Sequence, residues 1–171
     1  MEQDKTSPWV AVAREIGPTL AAAAATHDAD GSFVEEAYRL FAERKLFSMA
    51  IPQPLGGGGA SFGELCETLR ELATFDGSSA LALSMHQHLI AATVWRYQHG
   101  KPGEGLLRKV VDGQLALVST GASDWIDSNG AMSRVEGGFR VSARKVFGSG
   151  SPAAAIMIAS AGYGDPQDGA R

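Results

Sequence analysis

Residues 78–98 read SSALALSMHQHLIAATVWRYQ, a stretch in which apolar side chains occupy nearly every side of a helix. Such a helix must be covered on every side by other parts of the protein. Polar residues between Ser84 and His88 interrupt its middle, so no run of 18 or more apolar residues is present to cross a bilayer. The stretch therefore predicts a buried central helix in a soluble protein.

Two helices are predicted before the central one. Apolar residues at helical spacing predict the first over Pro8–Ala25, with a break or kink at Gly17-Pro18 and a turn over residues 27–31. Ser32 and Glu35 have the S-x-x-E spacing of a capping box, in which each side chain satisfies a backbone amide of the first turn. A second helix is therefore expected from Ser32 to about Lys45.

A further capping box, Ser61 with Glu64, predicts a third helix after the glycine run 56–59. Two prolines and four glycines exclude helix and regular strand in residues 51–60, so we expect a tight inter-helix turn; a phosphate cradle is the alternative. The third helix is expected to bury one apolar face, with Cys66 as a small core residue. This face comprises Phe62, Leu65, Cys66, Leu69, Leu72 and Ala73. A last short helix is predicted from Glu104 to Val111.

After Gly113 the apolar period changes from helical to extended. Residues 115–120 predict a buried strand, and residues 132–135 and 139–143 alternate as a hairpin across Gly137-Gly138. Residues 153–161 are a further strand candidate, followed by a loop-like tail from Gly162. Because so few strands leave long open edges, we expect the 171 residues to be a fragment of a longer fold.

Composition and charge exclude several classes of function. The net charge of −4 and the absence of any basic run argue against nucleic acid or an anionic membrane surface as a partner. The single cysteine cannot form an internal disulfide, and the amino terminus has no signal-peptide pattern, so a cytoplasmic location is expected.

Few residues indicate catalysis or metal binding. His86 and His88 are two positions apart, so on a helix they point to nearly opposite sides and cannot share a metal. One of them is expected to satisfy a hydrogen bond in the core. Asp124 and Asp127 are either acid/base groups or, as is common in turns, caps of their own backbone.

One pair of features remains, at the ends of two predicted strands. Ser119, Thr120 and Ser123 follow the first strand, and Phe147 with Ser149 follow another. An aromatic ring with hydroxyls and glycine amides suits a flat, hydrogen-bonding heterocycle. The alternative is that these are only two polar turns.

The order of motifs resembles that of the acyl-CoA dehydrogenases. Residues 52–59 are similar to the proline and glycine turn of that family, and residues 65–79 to its next helix and its Asp-Gly-Ser entry to the long helix. Leu117 to Asp124 resembles its small-x-Thr-Glu-Pro and Gly-Ser-Asp strand motif, with Thr120-Gly121 where the family has Glu-Pro. Lys145 to Gly150 resembles its Lys-x-Trp/Phe segment.

The resemblance implies an α+β fold. An N-terminal all-α domain, residues 1–112, would precede an incomplete antiparallel β-domain, residues 113–171. It also implies FAD, with Val118 and Ser119 on the pyrimidine side of the flavin and Ser123 at its pyrophosphate or at an acyl-CoA group. Phe147 and Ser149 would flank the isoalloxazine ring, and the central helix would border the acyl pocket.

The reaction implied by the resemblance is α,β-dehydrogenation of an acyl-CoA thioester, with hydride transfer to FAD. The catalytic base of the family lies outside the segment that this chain matches, so no catalytic residue is assigned. A homo-oligomer is expected. One alternative is a flavin-dependent monooxygenase of the same fold, and another is a non-catalytic helical interaction module.

Overall fold

The computed structural model describes residues 7–121, 124, 126 and 128–163, with helices first and strands second. The α-helices are α1 (Pro8–Asp30), α2 (Glu35–Glu43), α3 (Phe62–Ala73), α4 (Gly77–Gln98) and α5 (Glu104–Gly113). The strands are β1 (Ala116–Ser119), β2 (Ala131–Val135), β3 (Gly138–Ser142), β4 (Ala154–Ile158) and β5 (Gly162–Tyr163). This order confirms the α+β fold class. The domain boundary at residues 112 and 113 stays a prediction.

The core lies around α4, as expected, but it covers only one side of that helix. Leu83 and Ile90 are fully buried in the same cluster as side chains of the other helices. The opposite side carries Leu81, 64% exposed, and Trp95, 51% exposed. The prediction that α4 is covered on every side is therefore wrong for the described part of the chain.

Helix α1 is longer than its sequence pattern predicted. It continues through Gly17-Pro18 to Asp30, where Gly31 adopts a left-handed conformation and donates its amide to the His27 carbonyl. The five consecutive alanines after Leu20 favour this continuation because alanine has the highest helix propensity. Gly17 does not break the helix. It allows the Phe75 ring to pack closely against α1, since a Cβ at position 17 would lie 2.3 Å from that ring.

The two S-x-x-E motifs have different outcomes. The Ser61 hydroxyl accepts from the Glu64 amide at 3.3 Å and the Glu64 carboxylate accepts from the Ser61 amide at 2.9 Å, which confirms this capping box. The motif at Ser32 forms no box, because α2 begins at Glu35 with Val34 as N-cap, two residues later than a Ser32 cap requires. The Ser32 hydroxyl instead contacts His27 Nδ1 at 2.6 Å.

Helix α3 divides its predicted apolar face. Leu65 and Leu72 are buried, whereas Phe62 is 75% exposed and Cys66 is also exposed. The reason is that α1 and α4 both pack on one side of α3 and leave the rest of the stripe uncovered. The prediction that Cys66 is a core residue is therefore wrong.

The glycine run 56–59 is a tight turn between helices, as expected. All four glycine amides donate to backbone carbonyls, those of Gln53, Pro52, Ser48 and Ile51 in order. A phosphate cradle needs free amides at such a loop. Since these amides are already paired, the cradle alternative is not supported.

The strands form two small sheets with mixed pairing. β1 and β4 are parallel, β2 and β3 form the predicted antiparallel hairpin, and β5 pairs parallel with β2. The antiparallel pairing expected for this region is therefore found in the hairpin, while β1–β4 and β2–β5 pair parallel. Val135 pairs with Gly138, so the two-residue turn is Glu136-Gly137, one position before the prediction. The tail expected from Gly162 begins instead with β5.

No helix in the described ranges combines enough length and hydropathy to cross a bilayer.

Candidate functional site

A cleft of about 330 Å³ lies between α4 and the carboxyl end of β1. We call it the α4–β1 cleft. One wall comes from α4, another from the end of β1, and the third from the segment that precedes β4. It is lined by Met85, His88, Ser119, Thr120, Gly121, Phe147 and Ser149. Apart from the protonated fraction of His88, none of these side chains is charged at neutral pH.

His86 holds the helix wall and the strand wall together. Its Nε2–H donates to the Phe47 carbonyl at 2.8 Å, and its Nδ1 accepts from the Leu117 amide at 2.9 Å. Burial lowers the pKa of His86 to about 4, so the ring is neutral at neutral pH. This confirms that one of the two histidines satisfies hydrogen bonds in the core.

The Phe147 wall is tied to the β1 wall through the backbone. The Gly121 amide donates to the Val146 carbonyl at 3.1 Å. Phe147 follows with a φ of 59°, and its side chain is 80% exposed. A Cβ at Gly121 would lie 3.0 Å from the Phe147 ring, so glycine leaves the space that the ring needs.

Asp124 organises the strand ends around the cleft. Its carboxylate accepts from Lys145 Nζ, from the Thr120 hydroxyl at 2.6 Å and from the Asn129 amide at 3.1 Å. The Ser160 hydroxyl, after β4, donates to the Asp124 carbonyl at 2.6 Å. The bonds from Lys145 and Thr120 hold the pKa of the carboxyl far below its ordinary value.

These contacts decide between the two interpretations of Asp124. A carboxylate that stays ionised at strongly acidic pH is a poor proton acceptor near neutral pH. The hydrogen-bond partners of Asp124 come from several segments around the strand ends. Asp124 therefore joins backbone and side-chain groups, as a turn aspartate commonly does. Asp127 lies outside the described residues.

His88 faces the cleft from α4. Partial burial lowers its pKa, although a hydrogen bond to the Ser84 carbonyl acts in the opposite direction. The imidazole is therefore mostly neutral at neutral pH and offers hydrogen-bonding nitrogen atoms in the cleft.

The predicted site residues are partly brought together. Ser119, Phe147 and Ser149 line the cleft. Val118 is 1% exposed, and its side chain lies behind the wall, 3.6 Å from where a Cβ of Gly148 would be. Ser123 lies outside the described residues. The cofactor roles of all five residues stay predictions.

Sequence reasoning did not assign Met85 and His88 to this site. Both lie on the uncovered side of α4, and only the crossing of α4 over the end of β1 brings them to the serines. Within the described chain, His, Cys, Asp and Glu side chains form no group of three that could hold a metal ion. The donor set of the cleft, hydroxyls with one exposed aromatic ring, suits an uncharged planar ring system.

Comparison with known proteins places these features in a family. Residues 10–114 match the acyl-CoA dehydrogenase N-terminal domain. The chain is 32% identical over 148 residues to an L-evernosamine nitrososynthase from Micromonospora sp., covering 80% of this chain and 34% of that protein. It is 29% identical over 154 residues to a probable FMNH2-dependent monooxygenase from Pseudomonas putida, covering 90% and 38%.

The chain is also similar to a dehydrogenase. The mitochondrial isovaleryl-CoA dehydrogenase of Oryza sativa subsp. japonica is 26% identical over 149 residues, covering 82% of this chain and 36% of that protein. Among solved structures, a nitrososynthase from Micromonospora carbonacea var. africana superposes with a TM-score of 0.82 and 28% identity, covering 94% of this chain and 43% of that one. The chain thus spans well under half the length of these relatives.

Proposed function

Because this chain belongs to the acyl-CoA dehydrogenase family, we propose that the α4–β1 cleft binds the isoalloxazine ring of a flavin and that the protein is a flavin-dependent oxidoreductase. The observation that carries the proposal is the meeting of the exposed Phe147 ring with the Ser119 and Ser149 hydroxyls in one uncharged cleft. The ring of a flavin has an aromatic face and a polar edge of carbonyl and N–H groups. An aromatic side chain and hydroxyls match both.

The residues of the cleft have separate tasks in this proposal. Phe147 packs against the planar ring, and Ser119 and Ser149 donate to or accept from its polar edge. Met85 and His88 face the same space from α4, so they border the substrate side. When bound, the flavin supplies the electron-transfer chemistry.

We favour a monooxygenase as the finer assignment. Two of the relatives carry the names of a nitrososynthase and a reduced-FMN monooxygenase, and their identities, 32% and 29%, exceed the 26% of the dehydrogenase. Thr120-Gly121 also stands where the dehydrogenase motif is expected to have Glu-Pro.

Acyl-CoA dehydrogenation is the second candidate. It is supported by the family itself and by the similarity to isovaleryl-CoA dehydrogenase. In that case the cofactor is FAD and the substrate an acyl-CoA thioester, whereas the monooxygenase relative is named for FMNH2. Both flavins share the ring that the cleft is proposed to bind.

The flavin site is tested by binding. The purified protein is incubated with FAD or FMN and desalted, and the visible absorbance of retained flavin is measured. Phe147→Ala is expected to weaken flavin binding about fivefold, because a stacked aromatic ring contributes on the order of 1 kcal/mol. Phe139→Ala, which removes a 53% exposed ring from the hairpin, is the matched control and is expected to retain flavin normally. Absence of flavin in the unmodified protein would contradict the proposal and favour the interaction-module alternative.

The type of chemistry is tested separately. A monooxygenase consumes oxygen when reduced flavin and substrate are both supplied, and oxygen uptake is measured with an electrode. A dehydrogenase instead loses its visible flavin absorbance when acyl-CoA is added in the absence of oxygen. Bleaching by acyl-CoA without oxygen uptake would reject the monooxygenase assignment while leaving the flavin site intact.

A further inference from the structure

A second cleft, of about 370 Å³, lies where the end of α1, the loop over residues 31–34 and the start of α4 meet. We call it the α1–α2 cleft, and it shares no lining residue with the α4–β1 cleft. His27 and Ser32 line it, and Glu36 contacts His27 from the first turn of α2. A hydroxyl, an imidazole and a carboxylate therefore meet at a cleft that the flavin proposal does not use.

The three side chains form a continuous line of hydrogen bonds. Ser32 Oγ lies 2.6 Å from His27 Nδ1, and Glu36 Oε1 lies 2.6 Å from His27 Nε2. Burial raises the pKa of Glu36, but hydrogen bonds from its own amide and from His27 outweigh burial and leave this pKa below its ordinary value. Because an ionised carboxylate only accepts, the proton of the neutral ring lies on Nε2, and Nδ1 accepts from the Ser32 hydroxyl.

We propose that Ser32 is a nucleophile, with His27 as its general base, and that the α1–α2 cleft hydrolyses small carboxylic esters. Ser32 Oγ bonds to the ester carbonyl carbon while His27 Nδ1 takes the hydroxyl proton. The ester C–O bond then breaks, and the leaving alcohol receives that proton. A water molecule, deprotonated by the same nitrogen, attacks the acyl-serine and releases the carboxylic acid. Nδ1 finally returns the proton to Ser32 Oγ.

The backbone around the serine is fixed on both sides. Gly31 ends α1 by donating its amide to the His27 carbonyl, and the Ser32 amide donates to the Asp30 carboxylate at 2.8 Å. The side chains of His27 and Glu36 are only 18% and 28% exposed, whereas Ser32 is exposed. The base and its carboxylate are thus partly shielded from water, while the hydroxyl is accessible to a substrate.

A hydrogen-bond donor is also available next to the serine. Among the described residues, the Phe33 amide donates to no carbonyl or side chain. The amide of the residue after the nucleophile is a common donor to the oxyanion that forms in acyl transfer. Phe33 is therefore the residue from which we expect that donor.

The lining of the cleft indicates the substrate class. Four apolar side chains offer a surface for a short acyl group, and they are Ala24, Phe33, Val34 and Ala82. Two carboxyl residues, Asp28 and Asp76, line the same space and disfavour anionic esters. We therefore expect an uncharged or cationic ester of a short carboxylic acid, and not a CoA thioester, whose phosphates are anionic.

Covalent labelling tests the nucleophile directly. A fluorophosphonate probe bonds to an activated serine oxygen and releases fluoride, and mass spectrometry of the digested protein locates the adduct. We expect the adduct on Ser32 and its loss in Ser32→Ala. Ser78→Ala is the matched control, because Ser78 lines the same cleft without a hydrogen bond to His27. Absence of an adduct on Ser32 would overturn the proposal, as would equal labelling of Ser78.

Hydrolysis of p-nitrophenyl acetate, followed by nitrophenol release, tests the role of Glu36 as a positioning residue. In Glu36→Gln the side-chain oxygen still accepts from Nε2–H but carries no charge. We expect kcat to fall about tenfold with KM unchanged, because the group that stabilises the protonated ring is lost. Glu35→Gln, at the neighbouring exposed position, is the control and should keep the full rate. Hydrolysis that is unaffected by Ser32→Ala or by Glu36→Gln would show that this cleft does not catalyse the reaction.

Discussion

The helical region, residues 8–113, and the strand region, residues 116–163, differ in how they bury side chains. Most of the buried apolar residues lie in the helical region. Among the described strands, β1 supplies the buried apolar residues, Ala116, Leu117 and Val118, while Ile156 and Ile158 of β4 pack partly buried against the core. In the hairpin, Phe139 and Val141 are more than half exposed. Stability is therefore expected to reside in the helices, and the α4–β1 cleft forms where the two regions meet.

A cavity in α4 is the strongest test of this contrast. Leu83→Ala is expected to lower the free energy of unfolding by about 2–5 kcal/mol, because a fully buried leucine leaves an empty space. Urea unfolding followed by circular dichroism measures the loss. Leu81→Ala, on the same helix but 64% exposed, is the matched control and should change it by less than about 0.5 kcal/mol. Equal losses would mean that the exposed side of α4 is covered in solution.

The contact between the regions is expected to depend on pH through His86. Its pKa of about 4 in the folded protein is lower than its ordinary value of 6.5, so the unfolded chain binds the proton more readily. The stability contributed by neutral His86 is therefore complete above pH 6.5 and decreases as pH falls towards 4, by about 3 kcal/mol in total. Urea unfolding of the unmodified protein and of His86→Gln, measured across this range, should show the difference between them shrinking with acid. A constant difference would contradict the buried, neutral ring.

A substitution of Lys145 tests whether its ion pair with Asp124 holds the strand side of the α4–β1 cleft in place. Lys145→Met removes the cationic partner of Asp124, so the Gly121 amide, which donates to the Val146 carbonyl, is expected to exchange with solvent about tenfold faster. Hydrogen exchange followed by NMR measures this amide and those of α4, which should not change. Arg144→Met, the neighbouring exposed cation, is the control. Unchanged exchange at Gly121 would show that the ion pair does not hold the wall.

The hairpin should give the smallest effect. Val141→Ala, at a 55% exposed position of β3, is expected to change the free energy of unfolding by less than about 0.5 kcal/mol in the same urea titration. A loss above 1 kcal/mol, on the order of a buried methyl group or more, would place the hairpin against a covering surface and remove the contrast between the regions.

The local sequence patterns predicted the helices and strands well, but they predicted less well which side chains are buried. The same S-x-x-E spacing occurs at Ser61 and Ser32, yet only Ser61 forms a box, because α2 begins after Val34 and leaves the Ser32 hydroxyl to contact His27. The helical period of α3 was correct, but which half of its apolar face is buried depends on where α1 and α4 pack. A one-dimensional pattern does not contain that information.

The candidate site was predictable to the extent that it lies at strand ends. Ser119, Phe147 and Ser149 follow strands and were identified from residue type and resemblance. Met85 and His88 were not, since they reach the cleft through the crossing of a helix distant in sequence. For Asp124 the sequence left an acid/base role and a capping role open, and its ion pair with Lys145 joins positions 21 residues apart.

The hydrogen bonds of His86 also make it a spectroscopic reporter. The Phe47 carbonyl requires a proton on Nε2, and the Leu117 amide requires a lone pair on Nδ1, so the ring is held as a single tautomer. A histidine exposed to water exchanges between its two neutral tautomers and its cation. The ¹⁵N chemical shifts of this imidazole therefore report whether two elements are packed against α4. These elements are the 3₁₀-helical turn at Leu46–Ser48 and the strand β1. The measurement needs only isotope enrichment.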